Sequence, residues 1–285
     1  MSLSRRRFAV LSAAAAAGAG LFDLPRVFAA ANLQDKKDPF GGFPVGAQSY
    51  SLRNFDTREC VRHLQGLGLH YVEFFSKHLD PKASDEQIAE TLELLKKADI
   101  KLSGHGVHGF SKDDAANRKL FEFAKKVGVK TITANPTADA FDSLDKLCAE
   151  FNIRIAIHNH GPGQLYDKIE SVAKAVKDRH PLVGACVDCG HFLRSEEDPV
   201  KAIRDLGPRV FGVHLKDDVA IGRGSKNVIL GKGKLDVVGV FKALKEIKFP
   251  ADGCLSLEYE AKPENPVEDM AACIEVAKEA IAKVA

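Results

Sequence analysis

The chain predicts a single α/β domain, a (β/α)8 barrel, on three observations. Strand-like and helix-like patterns alternate strictly from about residue 44 onward, and strict alternation builds a parallel sheet. Eight such units can be counted, the number that closes a barrel. After the first strand, Gln48-Ser49-Tyr50-Ser51-Leu52 has no G-x-G-x-x-G character, which argues against a doubly wound nucleotide-binding sheet.

The elements follow in order. Val45–Ser51 reads as a strand and Thr57–Gly66 as its helix; Tyr71–Phe75 as the next strand and Asp85–Lys97 as its helix, with Ile88, Leu92 and Leu95 on one face. Lys101–Gly106 and Lys130–Ala134 are strands, followed by helices at Asp113–Val127 and Phe141–Phe151. Ile153–His158 and Val183–Asp188 are strands, followed by helices at Asp167–Asp178 and Pro199–Leu206. Val210–Leu215 and Cys254–Tyr259 complete the strands, with helices at Val237–Ile247 and Pro266–Val284. The one long connection, Asp217–Lys234, carries Gly222, Gly224, Gly231 and Gly233. It follows the seventh strand and should lie over the barrel mouth. Its Gly231-Lys232-Gly233-Lys234 run reads as a turn before a helix rather than a phosphate loop.

Bulk composition fits one such domain. The 285 residues are 45% hydrophobic and 28% charged, with a net charge of +2 and both signs interspersed. A nucleic-acid binder concentrates basic residues, so this balance speaks against one. The N-terminus is distinct. Ser4-Arg5-Arg6-Arg7-Phe8 precedes an alanine-rich apolar stretch from Ala9 to Leu24, and small residues follow at Ala29, Ala30 and Ala31. Charged start, apolar middle and small-residue end describe an export signal, and paired arginines before Phe8 resemble the twin-arginine type. The expected organisation is an export signal over 1–31, a polar lead-in over 32–43 and the barrel over 44–285. The mature protein is then periplasmic or extracellular, with no stable membrane span once the signal is removed. Six cysteines are present, and Cys186-Val187-Asp188-Cys189 matches C-x-x-C. It lies within a strand end, and no second pair accompanies it, so neither redox nor structural-zinc chemistry is expected.

The chemistry gathers in the second half. Four strand-like segments end in metal-ligand side chains: I-A-I-H-N-H-G (Ile155–Gly161), A-C-V-D-C-G-H (Ala185–His191), F-G-V-H-L-K-D (Phe211–Asp217) and L-S-L-E-Y-E (Leu255–Glu260). In a parallel barrel these ends converge on one mouth. Strand side chains alternate between faces. With Ile155, Ile157, Val187, Val213, Leu215, Leu255 and Leu257 turned to the helices, the inward set is His158, His160, Asp188, His214, Lys216, Glu258 and Glu260. Buried imidazoles and carboxylates are costly unless paired or metal-bound. A mixed nitrogen and oxygen set suits one divalent ion, Mn, Zn, Co, Fe or Mg, with His158 and His160 both open as the fifth-strand ligand. Earlier strands add Gln48 and Tyr50, which can hydrogen-bond a polyol, Glu73 at the mouth, and His105 and His108, one of which should line the pocket.

In this order, H-N-H-G, the D-C-G-H spacing, V-H-L-K-D and L-E-Y-E resemble the xylose-isomerase-like TIM barrels of the sugar phosphate isomerase/epimerase superfamily, over about residues 44–284. These include sugar isomerases and epimerases, hydroxypyruvate isomerase, inosose dehydratase and endonuclease IV. The resemblance implies metal ligands at His158, Asp188, His214 and Glu258, and substrate contacts at His191 and Lys216. Sugar epimerases of the family carry a glutamate where this chain has His158, so their two-glutamate mechanism does not carry over directly.

The expected function is a metal-dependent isomerase or epimerase of a sugar or related hydroxy-carbonyl compound, working through an enediolate. Glu258 is the expected base, and His160 or Lys216 the partner acid. Glu73, His105, His191, Gln48, Tyr50 and Glu260 are expected to bind substrate. The alternative is a lyase that expels a β substituent from the same intermediate, dehydrating a keto-sugar or cleaving a 3-keto-glycoside. An endonuclease IV-like nuclease would need several metals and a basic surface, and a sugar-binding barrel would need no metal. Net charge and ligand set speak against both. The expected partner is a small sugar, with no nucleic acid; a homo-oligomer is left open.

Overall fold

The structure, a computed structural model, describes residues 38–284. The expected export signal and the first part of the lead-in lie outside the described residues. Eight parallel strands close a barrel: β1 (Val45–Gln48), β2 (Tyr71–Phe74), β3 (Lys101–Phe110), β4 (Thr131–Pro136), β5 (Arg154–His158), β6 (Val183–Asp188), β7 (Val210–Leu215) and β8 (Cys254–Leu257). Neighbours pair in chain order, and β1 closes the ring on β8 through Val45↔Leu255 and Ala47↔Leu257. Around it lie α1 (Thr57–Gly66), α2 (Asp85–Lys97), α3 (Asp114–Val127), α4 (Phe141–Phe151), α5 (Ile169–Val176), α6 (Cys189–Arg194), α7 (Pro199–Leu206), α8 (Val237–Glu246) and α9 (Val267–Ala282).

Local chemistry fixes several of these ends. Asp56 caps α1 by accepting from Glu59 N at 2.8 Å, and the Glu59 carboxylate accepts from Asp56 N at 3.3 Å. Such a reciprocal box satisfies two otherwise unpaired amides, and Ser84 with Gln87 repeats it on α2. The outward strand residues behave as their alternation predicts. Ile155, Ile157, Val187, Val213, Leu215, Leu255 and Leu257 all join the apolar layer between sheet and helices, none more than 3% exposed. Phe241 of α8 is fully buried in that layer and meets the Phe43 ring edge-on at 5.4 Å. Burial of such a ring contributes about 1.5–3 kcal/mol, and Phe241→Ala would cost about 3–5 kcal/mol.

The structure departs from the sequence reading in four places. β1 stops at Gln48 because its side chain accepts from Tyr50 N at 3.1 Å, drawing Ser49–Leu52 into a 3-10 turn. β3 runs on to Phe110, pressed so close to β4 that a Cβ on Gly106 would lie 2.3 Å from Thr133 O. Helix α6 was not expected; Asp188 caps it by accepting from His191 N. The long connection folds back as a two-stranded ribbon, Asp217–Asp218 against Asn227–Val228. Its base is locked by the buried Asp217 carboxylate, which accepts from the amides of Asp218, Gly231, Gly233 and Leu235 at 2.8–2.9 Å. The glycine-rich turn therefore cradles an internal carboxylate. All six cysteines are free and buried. Among the described residues, no helix is long and apolar enough to cross a membrane.

Candidate active site

Four neighbouring strands deliver four ligand-type side chains to one point. His158 ends β5, Asp188 ends β6, His214 lies on β7 and Glu258 follows β8. The rungs Asp188↔His214 and Ser256↔His214 set their heights. One ligand atom from each lies within 4.8 Å of all the others, and all four residues are buried. His158 Nε2 stands 3.0 Å from His214 Nδ1 and 3.4 Å from Asp188 Oδ2. His214 Nδ1 stands 3.2 Å from Glu258 Oε2 and 3.7 Å from Asp188 Oδ2.

The donor set fits a divalent ion. His214 Nε2 donates to Glu73 Oε2 at 2.8 Å, which turns Nδ1 toward the cluster. Asp188 spends Oδ1 on the His191 amide at 2.7 Å. Asp188 Oδ2 and Glu258 Oε2 are buried, and they face the two imidazoles and the Lys216 ammonium, which lies 3.0 Å and 2.6 Å from them. One ammonium cannot balance two buried carboxylates, and unbalanced buried charge is expensive. Two carboxylate oxygens and two imidazole nitrogens aimed at one point can hold a cation of the Mn, Fe, Co or Zn type.

Lys216 borders this cluster. Its buried Nζ lies 3.0 Å from Asp188 Oδ2, 2.6 Å from Glu258 Oε2 and 2.8 Å from Glu260 Oε1. Its stem runs against Gly190, where a Cβ would sit 2.6 Å from Lys216 Cγ; the glycine of D-C-G-H makes room for the lysine. Burial would neutralise the ammonium, but the three carboxylates outweigh it and hold Lys216 protonated, well above its usual range. Burial likewise favours neutral Asp188 and Glu258, and Lys216 overcomes it, holding both well below the usual carboxylate range. Burial opposes charge on His214 too, yet surrounding anionic groups, Glu73 and Glu258 among them, raise it well above its ordinary value.

Above the cluster opens a cavity of about 380 Å³. Its polar side presents His158, His160, His191, Lys216, Glu258 and Glu260; its apolar wall is Tyr50, Phe75 and Val107. Tyr50 meets Phe75 edge-on at 5.4 Å. Burial lowers His160 to about 4 and His191 to about 3, so both imidazoles are neutral at physiological pH. A pocket of this size with convergent polar groups at the strand C-termini is where barrel enzymes bind small molecules.

The profile described as "Xylose isomerase-like TIM barrel" matches residues 61–279. The chain belongs to that family. Among curated relatives, the inosose dehydratase of Clostridium tetani is 32% identical over 149 residues, 46% of this chain and 49% of that protein. The chain spans about half the length of the curated relatives it matches. A solved, uncharacterized protein of Parabacteroides distasonis ATCC 8503 is similar at 28% identity and a TM-score of 0.66, over 84% of this chain and 99% of that one. D-allulose 3-epimerase from Methylomonas sp. shares the fold, at 16% identity and a TM-score of 0.68, over 84% of this chain and 98% of that one. The relatives and fold neighbours thus include enzymes named for dehydration and for epimerisation.

In this xylose isomerase-like barrel, the expected site residues fall into two groups. Gln48, Tyr50, His160, His191, Lys216, Glu258 and Glu260 line the cavity. Glu73 and His105 do not, which corrects their expected place as substrate contacts. Glu73 is fully buried beneath His214, where its carboxylate also accepts from Ser256 Oγ at 2.9 Å, Cys254 Sγ at 3.0 Å and Thr133. Burial would raise it, but His214 and these donors bring it down to about 2. His105 is buried behind the wall, bonded to Leu79 O at 2.8 Å and to His108 Nε2 at 2.7 Å. Neither histidine reaches the cavity; Gly106 and Val107 between them do. Sequence reasoning passed over Phe75, Ser76 and Val107 in the wall, and Asn159 between two active-site histidines. For Asn159 the H-N-H spacing was the available signal.

Proposed function

We propose that the protein is a metal-dependent lyase that dehydrates a keto-sugar or cyclic polyhydroxy ketone, or cleaves a 3-keto-glycoside by the same elimination. The observation that carries this is His158. Strand β5 supplies an imidazole where a two-base epimerase needs a second carboxylate, so Glu258 alone among the carboxylates belongs both to the cluster and to the cavity. One base suffices for elimination, because departure of the β substituent completes the reaction without proton return to the opposite face. The curated relatives named inosose dehydratase support the same reading.

His158, Asp188, His214 and Glu258 would hold the ion, which supplies Lewis acidity at a substrate carbonyl and its neighbouring hydroxyl. Glu258 takes the α proton. Lys216, 2.6 Å from Glu258 Oε2, keeps that carboxylate ionised in the resting site. As negative charge grows on the substrate oxygen, the ammonium turns to it, stabilising the oxyanion and strengthening Glu258 as a base. The departing oxygen takes up that proton from Glu258, with the neutral His160 and His191 imidazoles as its hydrogen-bond partners. The C–H electrons become the new double bond, the β C–O bond breaks, and water or an alcohol leaves.

Isomerisation from the same enediolate is the second reading. Glu260 favours it, since this further cavity carboxylate shares Lys216 at 2.8 Å. The Arg5-Arg6 leader supports export to the periplasm or beyond, where an unphosphorylated substrate suits the site. Mass analysis after incubation with an inosose and a 3-keto-glucoside separates the readings. Elimination yields a product lighter by one water or one alcohol; a product of unchanged mass would overturn the lyase reading.

A further inference from the structure

Asn159 sits between His158 and His160 but joins neither the cluster nor the cavity lining. It is fully buried. Its Oδ1 accepts from Asp188 N at 2.7 Å, and its Nδ2 donates to Asp188 O at 3.0 Å. The opposite amide orientation would set donor against donor and acceptor against acceptor, so the network fixes it.

The sheet explains why such a clamp is needed. The β5–β6 rungs end at His158↔Cys186. Asp188 lies two residues further along β6, with a rung to His214 on the β7 side. On the β5 side the strand has ended. A carboxamide carries the same donor and acceptor as a peptide unit, and Asn159 uses both on the Asp188 main chain. Its side chain supplies the interstrand pairing that the β5 backbone no longer makes.

We propose that Asn159 is a positioning residue that aims Asp188 at the metal cluster. Asp188 is held from three directions: by Asn159 at its backbone, by the rung to His214, and by the His191 amide on Oδ1. What remains turned into the cluster is Oδ2, which faces His158 at 3.4 Å, His214 at 3.7 Å and the Lys216 ammonium at 3.0 Å. Loosening the Asn159 clamp releases the backbone that directs Oδ2. It also releases the start of α6, which carries His191 into the cavity. The inference rests on the reading that His158, Asp188, His214 and Glu258 hold a divalent ion.

The test is Mn²⁺ titration calorimetry on the full chain, stripped of metal, with thermal melts of the same samples. Asn159→Leu fills the site but makes neither hydrogen bond; Asn159→Ala makes neither and leaves space. Both should bind Mn²⁺ about 10–100-fold more weakly than the parent, the usual loss when a group supporting a metal ligand is removed. Equal losses in the two variants point to the hydrogen bonds rather than to volume. Parent affinity in Asn159→Leu with a loss only in Asn159→Ala would overturn the proposal, since packing would explain it. So would a lowered melting temperature with unchanged affinity. Failure of both variants to fold would assign Asn159 to the fold instead of the ligand. Asp188→Ala is the control: if it binds Mn²⁺ like the parent, the metal reading itself falls, and not the Asn159 assignment alone.

Discussion

Glu73→Gln isolates the support beneath the cluster of His158, Asp188, His214 and Glu258 without changing its shape. Glu73 is fully buried, and its carboxylate accepts from His214 Nε2, Ser256, Cys254 and Thr133. It titrates at about 2 against an ordinary 4.5. That difference, at about 1.4 kcal/mol per unit, corresponds to about 3 kcal/mol of folding stability. The sign follows from the depressed folded value: the stability is fully present above 4.5 and is lost as pH falls toward 2. Urea denaturation at pH 7 should therefore show Glu73→Gln less stable by about 3 kcal/mol, with the gap narrowing by roughly 1 kcal/mol at pH 4. A neutral amide also makes His214 a poorer ligand, so Mn²⁺ affinity should fall about 10–100-fold. A variant matching the parent in both stability and Mn²⁺ affinity would refute this account of Glu73.

Glu258→Gln should lower turnover about 10²–10⁴-fold, the usual worth of general acid–base catalysis, and suppress exchange of the substrate α proton with solvent deuterium; if Glu260→Gln alone stops exchange, the two roles are reversed. Burial holds His105 near 3 and His108 near 4, against an ordinary 6.5. The unfolded chain takes up protons there before the fold does, so this pair alone should contribute about 4 kcal/mol to the loss of stability from pH 7 to pH 5. Denaturation midpoints independent of pH over that interval would contradict it. Replacing Arg5 and Arg6 by lysine should leave the protein in the cytoplasm, as judged by cell fractionation; undiminished export would exclude the twin-arginine route.

Much of this architecture was legible because two periodicities carry it. Alternation along β5 to β8 separates the residues of the helix-facing layer from those turned inward, and the ordered strand ends bring His158, Asp188, His214 and Glu258 to one mouth. In the structure, Asp56 and Glu59 close the first turn of α1 and fix where it starts. What escaped has local causes. Alternation fixes which face a residue takes but not how deep it lies, so Glu73 was expected at the mouth and stands beneath His214. The β3–β4 register shifts between His105 and His108, which breaks the parity that would have placed either in the pocket. Asp188 was read for its ligand chemistry alone, and its second oxygen starts α6. Gln48 competes with the ladder through its own side chain and ends β1 early.

The central claim is that the buried cluster holds a catalytic divalent ion. Metal analysis by plasma mass spectrometry on the purified parent and on Asp188→Ala addresses it most directly. The account predicts one divalent ion per chain in the parent, with activity lost on chelation and restored by the ion, and an empty site in Asp188→Ala. A metal-free parent that remains fully active, or full occupancy in Asp188→Ala, would contradict it.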